Sequence, residues 1–510
     1  MQLKNLISAA VLAVLAGCGS EPPLEQVRLD TKLGPITGLR RNDTLQFLGI
    51  RYAKAPEGPL RFRRPEPYGG WEQRLDATTH GRRCPQTGGL GSVLGEGDQQ
   101  MSEDCLVLNI WTMGAEGENR PVLFWIHGGS HYEGSGNDYD GSRLAAQGDV
   151  VVVTINYRLG LLGYAGVSAL GEAWAGVESN GQRDKILALE WVRDNIGDYG
   201  GDAGNVTIFG ESAGASSVFS ILAAPTADGL YHRAIAHSGV PTTQPAEDKV
   251  PALAEALGVT RGKLGETLRN LPLERLHEIR DVGMTGGVVD GVVVTRSTYA
   301  ALAERGTGGV PLIAGFNRDE GTLFSSIIPS SAFEELGPII AQLTMDGRET
   351  GPYIEMLHGE HPLDETRRFE EIWNDLFLRG AVAGAERATS AGAPGWLYRF
   401  DMQATIPFLG SRLGATHAAE IVFTFNTVAD DSLLNLYDGD DPDVRRLAEH
   451  WSNTIIAFAR TGNPNGAGLP EWRPYGEKNR ETLVLDANSR IENNLLRERV
   501  GQLEAVGMLF

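Results

Sequence analysis

A Gly-x-Ser-x-Gly motif at residues 210–214 places Ser212 where its hydroxyl could attack a carbonyl carbon. A short strand-like run at 205–209 precedes the motif, and a helix-compatible stretch of small residues at 213–222 follows it. This pattern is typical of a strand that turns directly into a helix and exposes the serine above a sheet. The motif is short enough to occur by chance, so the residues around it and downstream of it decide its meaning.

A serine hydroxyl is a weak nucleophile at neutral pH and needs a base within reach and a third group that orients the base. In a site of this kind the chain order is serine, acid, histidine. His358 and His361 lie in a polar stretch that we predict as a turn, and His450 lies in a predicted amphipathic helix at 444–460. His417, in a loop-like segment, is therefore the candidate base. The chain order sets aside His80, His127, His131, His232, His237 and His277.

Two adjacent carboxylates are candidates for the acid. Asp319 and Glu320 follow a predicted apolar strand at 310–316. A side chain at the carboxyl end of such a strand can reach the edge of the sheet where Ser212 is expected. The spacing alone does not distinguish the two residues.

The charge that develops on the carbonyl oxygen needs hydrogen-bond donors, each commonly worth about 2.7–4 kcal/mol. A predicted buried strand at 121–126 runs into His127-Gly-Gly-Ser130, whose glycines allow the backbone to turn its amides toward a ligand. The amide of Ala213, next to the nucleophile, is the second expected source of a donor.

The elements that must position these groups follow an alternating pattern. Strand-like and helix-like runs alternate from 122 to 316, which predicts an α/β fold with a large, mostly parallel sheet covered on both faces. Helix-compatible segments at 240–300 and 325–395 are expected to form caps. Long linkers and repeats are absent from the sequence, so we predict a single domain over 27–510.

The chain resembles the type-B carboxylesterase/cholinesterase family, and the resemblance covers roughly residues 27–475. It implies an α/β-hydrolase fold and hydrolysis of carboxylic esters through an acyl-serine intermediate, without a cofactor. Its landmarks, in family order, are the segments 47–56, 102–111, 125–129, 156–158, 210–214, 319–321, 414–417 and 461–465.

By residue, the resemblance implies Ser212 as nucleophile, Glu320 as acid and His417 as general base. The amides that it implies for the oxyanion belong to Gly129, Ser130 and Ala213.

Three departures from the family pattern bear on the site. Ser130 replaces a glycine or alanine, and His131 stands where an aromatic residue is common. The segment 85–104 contains no aromatic residue that could hold a choline by cation–π contact, so a choline ester is a disfavoured substrate. The common Gly-Leu-x-Asp-Gln stretch is here Gly181-Gln-Arg-Asp-Lys185, in which Asp184 is expected to pair with Arg158.

The first 17 residues are predicted to be a cleaved signal, because their apolar stretch is too short to span a membrane. The small residues before Cys18 resemble a bacterial lipoprotein box, which predicts lipidation of Cys18 and a tether at 18–26. We therefore expect export from a bacterial cell and attachment to a membrane, on the periplasmic or cell-surface side, through lipid alone. An ordinary secretory signal cut nearby is the alternative.

Three cysteines are an odd number, which calls for an explanation in an exported protein. Lipidation of Cys18 leaves Cys84 and Cys105 to form one disulfide in an oxidising compartment. The family resemblance pairs the same two positions.

The formal net charge of −21 argues against nucleic acid and anionic lipid as partners. No His-Glu-x-x-His motif is present, and His358 and His361 lack a third nearby ligand, so no metal site is predicted. The expected partner is a small-molecule ester, uncharged and of small to medium size.

The sequence leaves three possible functions for the site. Ester hydrolysis is the main one, and acyl transfer to an alcohol uses the same groups. A binding protein of this fold that has lost its catalytic residues is disfavoured, because Ser212 and His417 are both present. For a catalytic His417, a neighbouring carboxylate raises the pKa and burial lowers it, so we expect an acidic limb of activity at about pH 6–7.

Overall fold

The computed structural model describes residues 25–41, 43–86, 100–116, 119–241, 245–284, 287–430, 435–466, 468–476, 478–508 and 510. These residues form one 13-stranded sheet. Its strands are β1 (Glu25–Thr31), β2 (Gly34–Arg41), β3 (Thr44–Arg51), β4 (Leu75–Asp76), β5 (Val107–Thr112), β6 (Arg120–Ile126), β7 (Val151–Ile155), β8 (Gly201–Glu211), β9 (Arg233–His237), β10 (Leu312–Asn317), β11 (Gly395–Phe400), β12 (Glu481–Leu485) and β13 (Arg490–Asn493).

The strand order is β1-β2-β3-β5-β7-β6-β8-β9-β10-β11-β12-β13, with β4 beside β2. Every pairing from β7 to β12 along this order is parallel, whereas the strands outside that range pair mainly antiparallel. Parallel strands end at one edge of a sheet, so β6, β8 and β10 bring the segments that follow them to the same edge.

The α-helices of the described residues lie on both faces of this sheet and in a separate cluster beside it. They are α1 (Ser142–Gly148), α2 (Gly160–Tyr164), α3 (Asn180–Asn195), α4 (Ala213–Ala223), α5 (Val250–Ala256), α6 (Arg261–Asn270), α7 (Leu273–Glu278), α8 (Arg280–Gly283), α9 (Thr298–Arg305), α10 (Gly321–Ile327), α11 (Phe333–Thr344), α12 (Gly351–Glu360), α13 (Glu365–Ser390), α14 (Ile421–Thr424), α15 (Pro442–Thr461) and α16 (Arg497–Ala505).

Strand β6 shows how the sheet divides the core. Its side chains alternate between two apolar clusters, with Phe124 and Ile126 on the side of α3, α4 and α13. Leu123 and Trp125 face α1, α14 and α15. Successive residues of a strand point to opposite faces, so a fully apolar strand is buried on both. The predicted α/β-hydrolase architecture is confirmed.

The predicted caps are partly confirmed. Helices α2 and α5–α7 build a separate apolar cluster around Leu253, Leu264 and Leu268, away from the sheet. Helix α13 lies within the second predicted cap segment but packs directly on β10 and β11. Its buried side chains, among them Leu376 and Val382, belong to the main core. It is therefore a layer of the domain and not a cap.

Two local predictions were wrong. Strand β1 begins at Glu25, whereas we predicted a tether to residue 26, because Glu25 and Gln26 pair with β2 at Arg40 and Leu39. The polar stretch around His358 was predicted as a turn, but it continues helix α12 to Glu360. Backbone hydrogen bonds outweigh a polar local sequence in both cases, to β2 in the first and within the helix in the second.

Two predicted links are present. Cys84 and Cys105 form a disulfide, with their Cα atoms 4.9 Å apart. Arg158 and Asp184 form a fully buried ion pair, with Nη2 2.7 Å from Oδ1. Cys18 and the predicted signal lie outside the described residues.

None of the helices described here is both long enough and apolar enough to cross a bilayer.

Candidate active site

Ser212 lies on the tight turn between β8 and α4, with φ 55° and ψ −123°. A non-glycine residue is rarely found in this conformation, which is costly unless the surroundings impose it. The two glycines of the motif allow the turn. A Cβ at Gly210 would lie 2.7 Å from the carbonyl oxygen of Ile126, and one at Gly214 would overlap the same atom. The Gly-x-Ser-x-Gly spacing thus has a steric cause, and the predicted elbow is observed.

His417 lies beside this turn, on the loop between β11 and α14. Its Nδ1 is 2.6 Å from Oε2 of Glu320, and both side chains are buried. Glu320 follows β10 and is held by two donors to its other oxygen. Ser238 Oγ donates to Oε1 at 2.6 Å, and the amide of Asn317 donates at 2.7 Å.

Asp319 has a different position. Its Oδ2 accepts a hydrogen bond from the amide of Ala415 at 2.9 Å, and its own amide donates to the carbonyl of Ala415. It also pairs with Arg318. Asp319 therefore joins the strand end to the histidine loop, and this junction places Glu320 against His417.

The loop after β6 lies next to the serine, because a Cβ at Gly128 would be 3.1 Å from the Cβ of Ser212. Gly129, Ser130 and His131 all have positive φ, at 93°, 54° and 64°. Among the described residues, the amides of Gly129, Ser130 and Ala213 donate to no other group. Ala213 is the first residue of α4, where backbone amides lack helical partners and the dipole favours an anion. The three amides are thus available as donors.

Two further carboxylates surround His417. Glu211 Oε1 lies 3.1 Å from Nε2 of His417. Glu420 Oε2 accepts a hydrogen bond from Nδ2 of Asn317 at 2.5 Å. Burial raises the pKa of Glu211 to about 7 and that of Glu420 to about 8, and the charge of Glu320 contributes to both shifts.

The described residues contain no group of three or more His, Cys, Asp or Glu side chains placed to hold a metal ion.

The carboxylates also set the protonation of the histidine. Burial alone would lower the pKa of His417, but the charges of Glu211 and Glu320 and the hydrogen bond to Glu320 outweigh it. The pKa rises from 6.5 to about 9. This is above the pH 6–7 expected from the sequence, because that expectation included one carboxylate beside the histidine.

Aromatic side chains form a wall beside the histidine. The Phe377 ring stacks on the His417 ring with centroids 4.6 Å apart, and the Phe324 ring lies 5.1 Å away. Trp373 stacks on Phe324 at 3.9 Å. The wall is apolar and holds the imidazole plane in place.

Sequence reasoning identified Ser212, His417 and the acid pair, but not Ser238, Asn317 or Glu420. Glu420 carries a weak signal, since it lies three residues after the histidine. Ser238 has none beyond its position after β9, where its φ of 52° directs it at Glu320.

Comparison with known proteins places this geometry in a family. The family model described as "Carboxylesterase family" matches residues 25–502. The para-nitrobenzyl esterase of Bacillus subtilis is 37% identical over 482 residues, which cover 91% of this chain and 96% of that protein. The human cocaine esterase is 33% identical over 542 residues, covering 98% of this chain and 94% of that protein.

A solved structure of a related enzyme has a similar fold. The carboxylesterase of Geobacillus stearothermophilus superposes with a TM-score of 0.82 at 34% identity, covering 93% of this chain and 99% of that one. The match in sequence and in fold extends over nearly the whole chain. This chain therefore belongs to the carboxylesterase family and is a serine carboxylic ester hydrolase of the α/β-hydrolase fold.

Proposed function

We propose that Ser212, His417 and Glu320 form the catalytic triad of this esterase. The observation that carries the proposal is the 2.6 Å bond between His417 Nδ1 and Glu320, next to a serine on an elbow. A carboxylate at Nδ1 fixes the imidazole tautomer whose Nε2 is free to accept a proton. Among the described side chains no hydrogen bond joins Ser212 to His417. Such bonds often tighten only when substrate binds.

In this mechanism Nε2 of His417 takes the hydroxyl proton while Ser212 Oγ attacks the ester carbonyl. The carbonyl oxygen becomes an oxyanion, which the amides of Gly129, Ser130 and Ala213 stabilise. The protonated histidine then gives its proton to the leaving alcohol, and the acyl group stays on Ser212. Water, activated by the same Nε2, hydrolyses this acyl-enzyme and restores the serine.

Glu211 has two effects on His417 in the proposed mechanism. Its Oε1 lies close to Nε2 of His417, so its charge stabilises the imidazolium that forms in each half-reaction. The same charge raises the pH at which His417 becomes neutral. Glu211 therefore favours the transition state and shifts the pH range of activity upward.

We propose uncharged esters of small to medium size as substrates. The support is the apolar wall of Phe324, Trp373 and Phe377 beside His417. Relatives are named for para-nitrobenzyl esters and for cocaine. The lack of an aromatic residue at 85–104 disfavours choline esters, because no ring there can hold the quaternary ammonium group.

Covalent catalysis is tested by inhibitor labelling. An organophosphonate should label Ser212 stoichiometrically and abolish activity, and Ser212→Ala should lower kcat by about 10⁴-fold or more. Ser217→Ala is the matched control, because its hydroxyl donates to the Ala213 carbonyl in the same helix but lies outside the triad. Labelling at another residue, or full activity of Ser212→Ala, would refute the proposal.

The two neighbouring carboxylates provide a paired test of the acid. Glu320→Gln should lower kcat by about 10⁴-fold, because His417 loses the partner that fixes its tautomer. Asp319→Asn should affect kcat far less and act mainly on stability, since Asp319 holds Ala415 and Arg318. The measurement is kcat with a thermal unfolding curve for each variant, and the reverse ranking in kcat would show that the acid is Asp319.

Activity should depend on pH through His417. Only the neutral imidazole accepts the serine proton, so a raised pKa means that kcat/KM falls as pH drops through it. We expect the acidic limb of kcat/KM near the pKa of His417, at about pH 9. Glu211→Gln should move the limb to lower pH, because it removes the larger of the charges that raise the pKa.

The control for this prediction is Glu449→Gln, the same change at an exposed position on α15. Profiles of kcat/KM should use an ester whose leaving group does not titrate. A wild-type limb at or below pH 6.5, or equal limbs in both variants, would contradict the assignment.

We also propose that the mature protein begins at Cys18 and is anchored by lipid on that residue. The support is the small-residue pattern before Cys18 and the start of the sheet at Glu25, a few residues later. Intact mass of the native protein should show a lipid increment on Cys18, and Cys18→Ser should lose it. A lipid-free protein that begins elsewhere would show an ordinary secretory signal.

A further inference from the structure

Lys185 is a fully buried lysine close to the oxyanion loop, the segment His127–His131, and burial lowers its pKa well below the ordinary value of 10.5. It lies on α3, and its Nζ donates to the hydroxyl of Tyr164 at 2.8 Å. The same Nζ lies 3.7 Å from the ring centre of Tyr157. Asp184, its neighbour in sequence, is taken by Arg158. Within the described part of the chain, no carboxylate forms an ion pair with Lys185.

A buried amino group, charged or neutral, is costly unless its surroundings compensate it. Here two tyrosines provide the compensation, one through its oxygen and one through its ring. A methionine or leucine would fill the same space without this cost. We therefore expect the polar contacts of this lysine to have a function.

Both tyrosines hold the oxyanion loop, one at each end. Tyr157 donates its hydroxyl hydrogen to the carbonyl of His127 at 2.9 Å, and the two rings stack with centroids 4.3 Å apart. Tyr164 Oη lies 3.2 Å from Nδ1 of His131. Lys185 thus contacts the two side chains that fix the first and the last residue of the loop.

The hydrogen bonds have one consistent direction. Burial lowers the pKa of His131 well below 6.5, so its imidazole is neutral. Nδ1 can then accept a hydrogen from Tyr164, whose oxygen accepts one from Lys185. The chain of contacts runs from Lys185 through Tyr164 to His131.

The residues between the two histidines need such support. Ser130 and His131 are non-glycine residues at φ 54° and 64°, and they follow Gly129 at φ 93°. Conformations of this kind persist only where the surroundings determine them. Two of the three amides assigned to the oxyanion, those of Gly129 and Ser130, lie within this stretch. Small movements of the loop would therefore misdirect the donors.

We propose that Lys185 is a positioning residue for the oxyanion hole, acting through Tyr157 on His127 and through Tyr164 on His131. The inference rests on the proposed function, because it assumes that the loop amides stabilise an oxyanion on the Ser212 adduct. It concerns residues outside the triad, and it links two departures from the family pattern, Lys185 and His131, in one contact chain.

The test compares three variants with wild type. Lys185→Met keeps a long unbranched side chain but removes the amino group that donates to Tyr164. Tyr164→Phe removes only the hydroxyl that reaches His131. Tyr353→Phe is the matched control, because it removes another buried hydroxyl, one that donates to Asp375 at 2.9 Å away from the loop.

Each variant is assayed for kcat, KM, thermal stability and inhibition by an aryl trifluoromethyl ketone. This ketone forms a hemiketal with the serine and carries an oxyanion, so its inhibition constant reports on the oxyanion hole. Lys185→Met and Tyr164→Phe should each lower kcat by about 10- to 100-fold, less than or similar to the loss of one donor. The inhibition constant should rise by a similar factor, with KM changed by less than about threefold.

Lys185→Gln should recover part of the loss, because its amide can still donate to Tyr164. Tyr353→Phe should keep wild-type kcat and ketone inhibition whatever its stability. Unchanged kcat and ketone inhibition in folded Lys185→Met and Tyr164→Phe would overturn the proposal. A loss shared by Tyr353→Phe would also overturn it, since the effect would then follow stability alone. Wild-type protein that forms no hemiketal at Ser212 would instead overturn the proposed function, and this inference with it.

Discussion

The bond between His417 and Glu320 is the interaction on which the site depends. It joins residues 97 positions apart, both of them buried. The sheet makes it possible, because β10 ends at the same edge as β8 and carries Glu320 toward the serine elbow. The junction of Asp319 with Ala415 then aligns the two loops. The geometry therefore comes from strand order and one backbone junction, and the aromatic wall keeps the imidazole in its plane.

Buried carboxylates around this bond determine the electrostatics of the site. Glu211, Glu320 and Glu420 are all buried near a single imidazole. Like charges in a low-dielectric site cannot all ionise cheaply, and the pKa values of Glu211 and Glu420 are raised accordingly. A protonated histidine relieves part of this repulsion. The cluster thus stabilises the imidazolium, which is the form that the proposed mechanism creates, and in that mechanism the buried carboxylates assist catalysis.

The serine turn and the parallel sheet could be predicted from the sequence. The elbow at Ser212 follows from two glycines that sterics require, and the sheet follows from apolar runs of strand length. The choice between Asp319 and Glu320 was not predictable from spacing, because adjacent residues after a strand point in different directions and only the junction with Ala415 decides which one meets His417.

Contacts between elements that are distant in sequence could not be predicted either. Ser238 reaches Glu320 through a backbone conformation that no motif marks. The contact of Lys185 with Tyr164 joins α3 to α2, and neither residue type identifies the other as its partner. The local sequence also predicted a tether up to residue 26, whereas pairing with β2 starts the first strand at Glu25. What the sequence lacks in each case is the identity of the neighbour in space.

A crystal structure of the protein inhibited by an organophosphonate would test the central claim most directly. The account predicts phosphorus bonded to Ser212 Oγ, with the phosphoryl oxygen about 2.7–3.1 Å from the amide nitrogens of Gly129, Ser130 and Ala213. His417 should keep its bond to Glu320. A phosphoryl oxygen directed away from these amides, or an adduct on another residue, would contradict the account.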